Sequence, residues 1–321
     1  MKRREWLFAA GALAAMPLAR AQSERVRRIG ILVPSAYGAG KVPLLSKGLA
    51  ALGWVKGRNL SIEVRNAEAH LERLPALAAE LVRLKVDLIV TVTTPATRVV
   101  KAAAGTIPVV FAWVGDPVAS KFVASLARPG GTVTGVTQLA RDVAPKQIEL
   151  LKALVPGLAR MANLYDPKYA GGGLNETYIE EASRAGVELV RVTASSPGEF
   201  EQAFAAATRE RATAMLIPPL PLYADHSARI AQLAKQFRMP CAGQMREFAA
   251  AGGLISYGAN LTDGFLRMAY YVDKILRGAK PAELPVEQTD RFEIVVNRGT
   301  AAELGLKIPQ VVLLQATEVI E

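Results

Sequence analysis

Short apolar runs alternate with longer amphipathic segments along most of the chain. The runs are rich in Val, Ile and Leu and are bounded by Gly, Pro or Asp, which is typical of buried strands. Leu74, Leu77, Leu81 and Leu84 instead follow the spacing of one helix face. Strands are predicted at residues 28–33, 60–64, 87–92, 108–114, 161–165, 187–192, 214–217, 254–257 and 291–297.

Helices are predicted between these strands from the same spacing and from local start signals. Pro95 can open a helix, since its missing N–H would have no partner there. Asp116 is a candidate N-cap for a helix that runs to residue 126. Residues 34–41 are predicted to be a loop, and Cys241 a small core residue on a buried strand. Further helices are predicted at residues 44–52, 71–84, 199–209, 227–237 and 264–276.

This alternation predicts an α/β fold with two Rossmann-like lobes. Strands that alternate with helices form parallel sheets covered on both faces, and two such series lie before and after Arg141. The segments 138–145 and 258–263 are predicted to cross between the lobes, and the helix at 264–276 to rejoin the first. The predicted N-terminal lobe comprises residues 23–138 and 260–289, and the C-terminal lobe residues 139–259 and 290–321.

The first 21 residues have the pattern of a secretory signal peptide. Lys2, Arg3 and Arg4 precede an apolar run at 6–18, and Ala19-Arg20-Ala21 fits a cleavage site after Ala21. The run is too short to span a bilayer, which needs about 20 residues. Its RREWL string also resembles a twin-arginine signal, so both Sec and twin-arginine export stay open. A periplasmic location is therefore expected.

Composition and charge narrow the possible functions. The chain has 321 residues, 51% of them hydrophobic and 21% charged, which excludes a disordered protein. Loss of the signal lowers the net charge from +10 to +7, because it holds four basic residues and one acidic residue. The basic residues are spread along the chain without interleaved aromatics, so no nucleic-acid partner is expected. No later segment is apolar enough for membrane insertion.

Motifs for catalysis and cofactor binding are absent from the sequence. It contains no dinucleotide fingerprint, P-loop, nucleophile elbow or zinc-protease motif. One Cys and two His residues exclude a disulfide framework and disfavour a metal site, so no cofactor is expected. Gly171, Gly172 and Gly173 are interpreted as a flexible loop. Asp225 and His226 could form a catalytic pair, but an exposed pair at a helix start is the commoner arrangement.

The candidate binding residues follow the predicted strands. Ligands of parallel sheets bind outside the carboxyl ends of the strands. Hydroxyls and free N–H groups there suit a carboxylate, Asp116 or Asp166 could meet an ammonium group, and tyrosine rings offer stacking faces. Thr94 and Asp116 could instead only cap helices. The predicted ligand-binding residues are Ser35, Tyr37, Thr93, Thr94, Asp116, Tyr165, Leu220, Gln244 and Arg246.

Long strings of the sequence resemble one family. GDPVASKFVASLARPGGTVTG at 115–135 and YVDKILRGAKPAELPVEQTDRFEIVVN at 271–297 are similar to bacterial ABC-transporter substrate-binding proteins, whose relatives include a tryptophan/tyrosine-binding component. The resemblance implies a type I periplasmic-binding-protein fold, with three crossings between lobes that close around a small ligand. We also expect a monomer without a chemical step, with an ABC permease and its ATPase as partners.

The ligand implied by the resemblance is an amino acid or another small carboxylate. The sequence departs from the family pattern at residues 91–94, at Trp113, and at Tyr165-Asp166-Pro167. Two alternatives belong to other classes of protein. One is a ligand sensor that docks on a signalling receptor, and the other is an amino-acid racemase or hydrolase that uses Asp and His residues in the same cleft. Sparse histidines and the lack of nucleophile–base spacing disfavour the enzyme.

Overall fold

The computed structural model describes residues 25–138, 140–169 and 174–321. The predicted signal peptide and the three-glycine segment lie outside the described residues. The described strands are β1 (Arg27–Val33), β2 (Leu60–Asn66), β3 (Leu88–Val92), β4 (Val109–Val114), β5 (Val133–Thr137), β6 (Arg160–Tyr165), β7 (Glu188–Thr193), β8 (Met215–Ile217), β9 (Cys241–Gly243), β10 (Ile255–Ala259), β11 (Glu287–Gln288), β12 (Phe292–Asn297) and β13 (Glu318–Ile320).

Helices connect most of these strands and cover both faces of the sheets. The described helices are α1 (Ala36–Ala51), α2 (Leu74–Arg83), α3 (Thr94–Ala104), α4 (Ala140–Leu154), α5 (Leu174–Arg184), α6 (Phe200–Arg209), α7 (Pro221–Asp225), α8 (Ser227–Gln236), α9 (Arg246–Ala250), α10 (Leu261–Leu276), α11 (Arg298–Leu304) and α12 (Gln310–Gln315).

Two sheets form the centres of two lobes. The first has the strand order β11-β5-β4-β3-β1-β2, and the second β13-β12-β10-β9-β8-β6-β7. The described pairs are parallel except β10 with β12. The chain crosses between the sheets after β5, after β10 and after β11. The predicted two-lobed α/β fold with three crossings is confirmed.

Burial on both faces explains the continuous apolar runs of the first sheet. Ile29, Ile31 and Val33 pack with α1 and α10 on one face. Leu32 and Ile89 pack with α2 and α3 on the other. Because successive strand residues point to opposite faces, every position of such a strand must be apolar. The helix α10 therefore packs on the first sheet.

The predicted loop at 34–41 is wrong, because α1 already begins at Ala36. Its first N–H groups have no partners within the helix. The carboxylate of Asp225, from the second lobe, accepts hydrogen bonds from the N–H groups of Ala36 and Tyr37. Because Asp225 lies far from α1 in the sequence, no pattern near residue 36 indicates that the helix begins there.

The helix predicted from Asp116 to residue 126 does not form. Asp116 Oδ1 instead accepts hydrogen bonds from the N–H groups of Val118 (3.0 Å) and Ala119 (2.9 Å), which closes a turn. Phe122 and Val123 then reach the core from irregular backbone. The sequence analysis also did not identify β5, which follows this segment.

Cys241 lies in β9 and is fully buried, and burial raises the pKa of its thiol. Its packing agrees with the predicted core role. Across the residues that the structure describes, no helix combines the length and apolar character that crossing a membrane requires.

We expect Gly135→Ala to destabilise the first lobe. The added Cβ would lie 2.0 Å from the carbonyl oxygen of Phe111 in the neighbouring strand, at a φ of +154°. Since backbone must move to relieve this contact, the free energy of unfolding should fall by about 2–4 kcal/mol in chemical denaturation. Gly131→Ala is the control, because its Cβ would meet no atom within 4 Å. Equal stability of the two variants would contradict the described close approach.

Candidate functional site

A cavity of about 220 Å³ lies between the lobes, at the carboxyl ends of strands from both sheets. The first lobe contributes residues that follow β1, β3 and β4. The second contributes β6, the start of α5, and the segments after β8 and β9. This is where ligands of parallel sheets bind. Seven of the predicted binding residues line the cavity: Ser35, Tyr37, Thr93, Thr94, Tyr165, Leu220 and Gln244.

The other two predicted residues, Asp116 and Arg246, are not part of this lining. Asp116 closes the turn after β4. The guanidinium of Arg246 makes two hydrogen bonds to the carboxylate of Glu318, at 2.6 and 2.5 Å. Arg246 faces a second, polar cavity of about 260 Å³ instead. A direct binding role for these two residues stays a prediction.

Asp225 and His226 do not form a catalytic pair in this structure. The Asp225 carboxylate bonds to the first turn of α1. The His226 ring packs edge-on against Phe200 with centroids 5.9 Å apart. Neither residue lines the interlobe cavity.

Sequence reasoning missed several residues of the cavity wall. Asn163 is the clearest case. It lies within the otherwise apolar centre of β6, and its side chain is only 1% exposed. Burying a polar side chain costs free energy unless it has a hydrogen-bond partner. An asparagine inside an apolar strand was therefore the sequence signal that could have indicated a binding residue. Other residues that sequence reasoning missed are Gln138, Tyr169, Asn175, Glu176 and Tyr178.

Three polar atoms in the cavity wall are buried without a hydrogen bond: Thr93 Oγ1, Asn163 Oδ1 and the Tyr169 hydroxyl. Burial raises the pKa of Tyr169. Each such atom costs about 1–3 kcal/mol if it stays unpaired. A polar ligand would supply the missing partners.

The charge of the cavity is negative. Among the described residues that line it, the charged ones are Asp166 and Glu176, with no Lys, Arg or His. Asp166 is only 6% exposed. Its Oδ1 accepts hydrogen bonds from the Ser195 hydroxyl (2.6 Å) and the Lys168 N–H (2.9 Å). These bonds hold the carboxylate in place.

A chain of amide and phenol groups forms another part of the wall. Gln138 Nε2 donates to Gln244 Oε1 at 3.2 Å, and Gln244 Nε2 donates to the Tyr178 hydroxyl at 2.9 Å. That hydroxyl donates to Gln147 Oε1 at 2.6 Å. Burial raises the pKa of Tyr178, so it stays a neutral donor. The chain joins the crossing after β5 to the second lobe and fixes the Gln244 amide.

Two strained residues shape the first-lobe wall. Thr93 and Trp113 have positive φ angles of 72° and 56°, at the ends of the adjacent strands β3 and β4. The register of β4 with β5 shifts between Ala112 and Val114, so Trp113 lies in a bulge. Its indole packs edge-on against Phe265, with centroids 4.9 Å apart, and lines the cavity. Such backbone costs about 1–3 kcal/mol per residue and is concentrated at functional sites.

A model of the family described as ABC transporter substrate binding protein matches residues 39–320. The chain belongs to this family. The curated tyrosine-binding protein of Clostridioides difficile (strain R20291) is 25% identical over 263 residues, which cover 81% of this chain and 75% of that protein. The resemblance stated from the sequence strings is thereby confirmed.

Two solved structures share the fold of this substrate-binding protein and 27% of its sequence. A conserved domain protein from Vibrio cholerae has a TM-score of 0.86 and covers 92% of this chain and 100% of its own. The ABC domain from Streptococcus pneumoniae, in complex with L-Trp, has a TM-score of 0.83 and covers 92% and 99%. The type I periplasmic-binding-protein architecture thus holds over nearly the whole described chain.

We expect Thr93→Val to leave the ligand-free protein as stable as the wild type or about 1 kcal/mol more stable. Valine keeps the shape of threonine and removes a buried hydroxyl that has no partner. Thr97→Val is the matched control, because the Thr97 hydroxyl donates to the Thr93 carbonyl at 2.8 Å. Its loss should cost about 1 kcal/mol in chemical denaturation. Equal destabilisation by both changes would mean that the Thr93 hydroxyl has a partner.

Proposed function

We propose that the exported chain captures an aromatic amino acid, tyrosine or tryptophan, in the interlobe cavity and delivers it to an ABC permease for import. Family membership supports the binding role. The choice of ligand is supported by a curated relative named for tyrosine binding and by a structural relative in complex with L-Trp. The signal-like segment at 1–21 supports export to the periplasm, with cleavage after Ala21.

The charge of the cavity supports an ammonium-bearing ligand. Two carboxylates and no described cation line it, so a ligand with net negative charge would be repelled. Asp166 is the buried carboxylate of the pair and is already oriented by Ser195. Asn163 Oδ1 is an unpaired acceptor in the same wall. An ammonium group donates three hydrogen bonds and suits these oxygens.

Uncharged donors would bind the ligand's carboxylate. The N-cap of α3, Thr93, makes no side-chain capping bond. A helix start attracts anions through its N–H groups and dipole. The first turn of α1, by contrast, is already held by Asp225. The carboxylate would therefore bind at α3, beside the hydroxyls of Thr93 and Thr94.

Aromatic side chains support an aromatic ligand. Rings from both lobes line the cavity, and the bulge in β4 directs the largest of them, Trp113, into it. Aromatic pairs contribute about 0.5–1.5 kcal/mol beyond the burial of their area. The lining rings are Tyr37, Trp113, Tyr165, Tyr169 and Tyr178.

The cavity is the single observation that carries this proposal, and titration calorimetry with the mature chain tests it. L-Tyr or L-Trp should bind, whereas L-Glu, a small sugar and a nucleoside should bind at least about a hundredfold more weakly. Tight binding of L-Glu without either aromatic amino acid would contradict the proposal. Uptake of the bound amino acid by cells should also fall when the gene is deleted.

Asp166→Asn should weaken binding of the amino acid about 10- to 100-fold, because an ion-assisted hydrogen bond to the ammonium group is lost. Asparagine keeps an oxygen for Ser195, so the wall should remain intact. Asp290→Asn is the matched control, since that carboxylate is exposed and outside the lining. Calorimetry should therefore give wild-type affinity for Asp290→Asn. Equal losses for the two variants would contradict the assignment of Asp166.

A further inference from the structure

Two carboxylates of the second lobe hold the first turn of α1, which belongs to the first lobe. Asp225, at the end of α7, accepts hydrogen bonds from the N–H groups of Ala36 (3.1 Å) and Tyr37 (2.7 Å). Glu247, in α9, accepts from the Tyr37 hydroxyl (2.9 Å) and from Lys41 Nζ (2.6 Å). We call these five residues the interlobe latch.

Asp225 performs the capping function that α1 lacks within its own sequence. The N-cap residue, Ser35, makes no side-chain capping bond, and the first turn contains no acidic residue. The free N–H groups and the dipole of a 16-residue helix both favour a carboxylate at this end. Asp225 supplies one from 188 positions along the chain. These bonds require the two lobes to be close together.

Glu247 forms the second half of the latch. Partial burial alone raises the pKa of Glu247, but the hydrogen bond and charge of Lys41, together with the Tyr37 hydroxyl, outweigh burial and lower it. The carboxylate is therefore ionised. An isolated exposed ion pair contributes little, but here Lys41 is 22% exposed and a phenol bonds to the same carboxylate.

The latch shares its residues with the ligand cavity. Tyr37 lines the cavity, and both its N–H and its hydroxyl are held by the second lobe. On the opposite side, Leu220 and Ala224 line the cavity from the segment that carries Asp225. The arrangement that makes the latch bonds is therefore the one that brings these two walls together.

We propose that Asp225 and Glu247 are positioning residues that determine ligand affinity by stabilising the closed arrangement of the lobes without contacting the ligand. A ligand that binds only closed lobes has an apparent affinity proportional to the closed fraction. Loss of either carboxylate should raise the Kd about tenfold. The inference rests on the proposed amino-acid ligand for its binding probe.

Hydrogen exchange of the ligand-free mature chain tests the contact itself. A peptide that covers residues 35–41 should exchange about tenfold faster in Asp225→Asn than in the wild type, because asparagine keeps only one of the two acceptor oxygens and removes the negative charge at the helix start. Glu201→Gln is the control, because Glu201 is a carboxylate of the same lobe that pairs with Arg229 away from α1. Equal exchange in Asp225→Asn, Glu201→Gln and the wild type overturns the proposal.

Binding of L-Tyr and L-Trp, measured by calorimetry, tests the effect on affinity. Asp225→Asn and Glu247→Gln should each raise Kd about tenfold, and Glu201→Gln should leave it unchanged. Lys41→Gln combined with Glu247→Gln should cost less than the sum of the two single changes, since both break the same pair. Wild-type Kd values in both latch variants overturn the affinity role, even if exchange has accelerated.

The two proposals fail in distinguishable ways. If the wild type binds neither L-Tyr nor L-Trp, the proposed ligand is wrong, and the exchange of residues 35–41 alone decides whether the latch forms. If the wild type binds and the latch variants match it in affinity, the proposed ligand stands and the latch is overturned. Thermal unfolding midpoints near that of Glu201→Gln would exclude misfolding as the cause of a change.

Discussion

Parallel sheets direct the carboxyl ends of their strands to one edge, and in this protein the edges of two sheets face each other across one cavity. Each strand must leave its sheet there, so loop backbone and polar side chains concentrate at these edges. Thr93 and Trp113 leave adjacent strands through strained backbone. Their strain persists because the buried strands β3 and β4 hold the residues on one side. The cavity is thus a consequence of the topology, and its chemistry depends on a few positions.

Only some of the polar groups in the cavity wall have hydrogen-bond partners within the protein. Gln244 and Tyr178 form a complete chain of hydrogen bonds, whereas Asn163 Oδ1 and the Thr93 hydroxyl have no partner. Such groups reduce the stability of the ligand-free state and favour a ligand that offers complementary atoms. The uneven charge of the cavity also favours one orientation of the ligand, because Asp166 has no cation beside it in the described lining. These features suit binding by closure of the lobes, in which a ligand shifts a pre-existing equilibrium.

The fold could be predicted from the sequence because its main signals are local. The five residues of β3 are all buried and all apolar or threonine, and α2 has its leucines on one face. The position of the cavity followed from parallel topology, and so did seven of its residues. The failures have tertiary causes. The first turn of α1 depends on Asp225 in the other lobe, and Arg246 pairs with Glu318, 72 positions away. A sequence pattern or motif that spans a few residues cannot indicate contacts between residues so far apart in the chain.

The proposed selection of an aromatic zwitterion by the carboxylates of this cavity can be tested with ligand analogues that lack one charged group. Calorimetry would compare L-Tyr and L-Trp with the corresponding amines, which lack the carboxylate, and with the corresponding acids, which lack the ammonium group. Because carboxylates and no described cation line the cavity, the acids should lose more affinity than the amines. Acids that bind as tightly as the amino acids would contradict this selection.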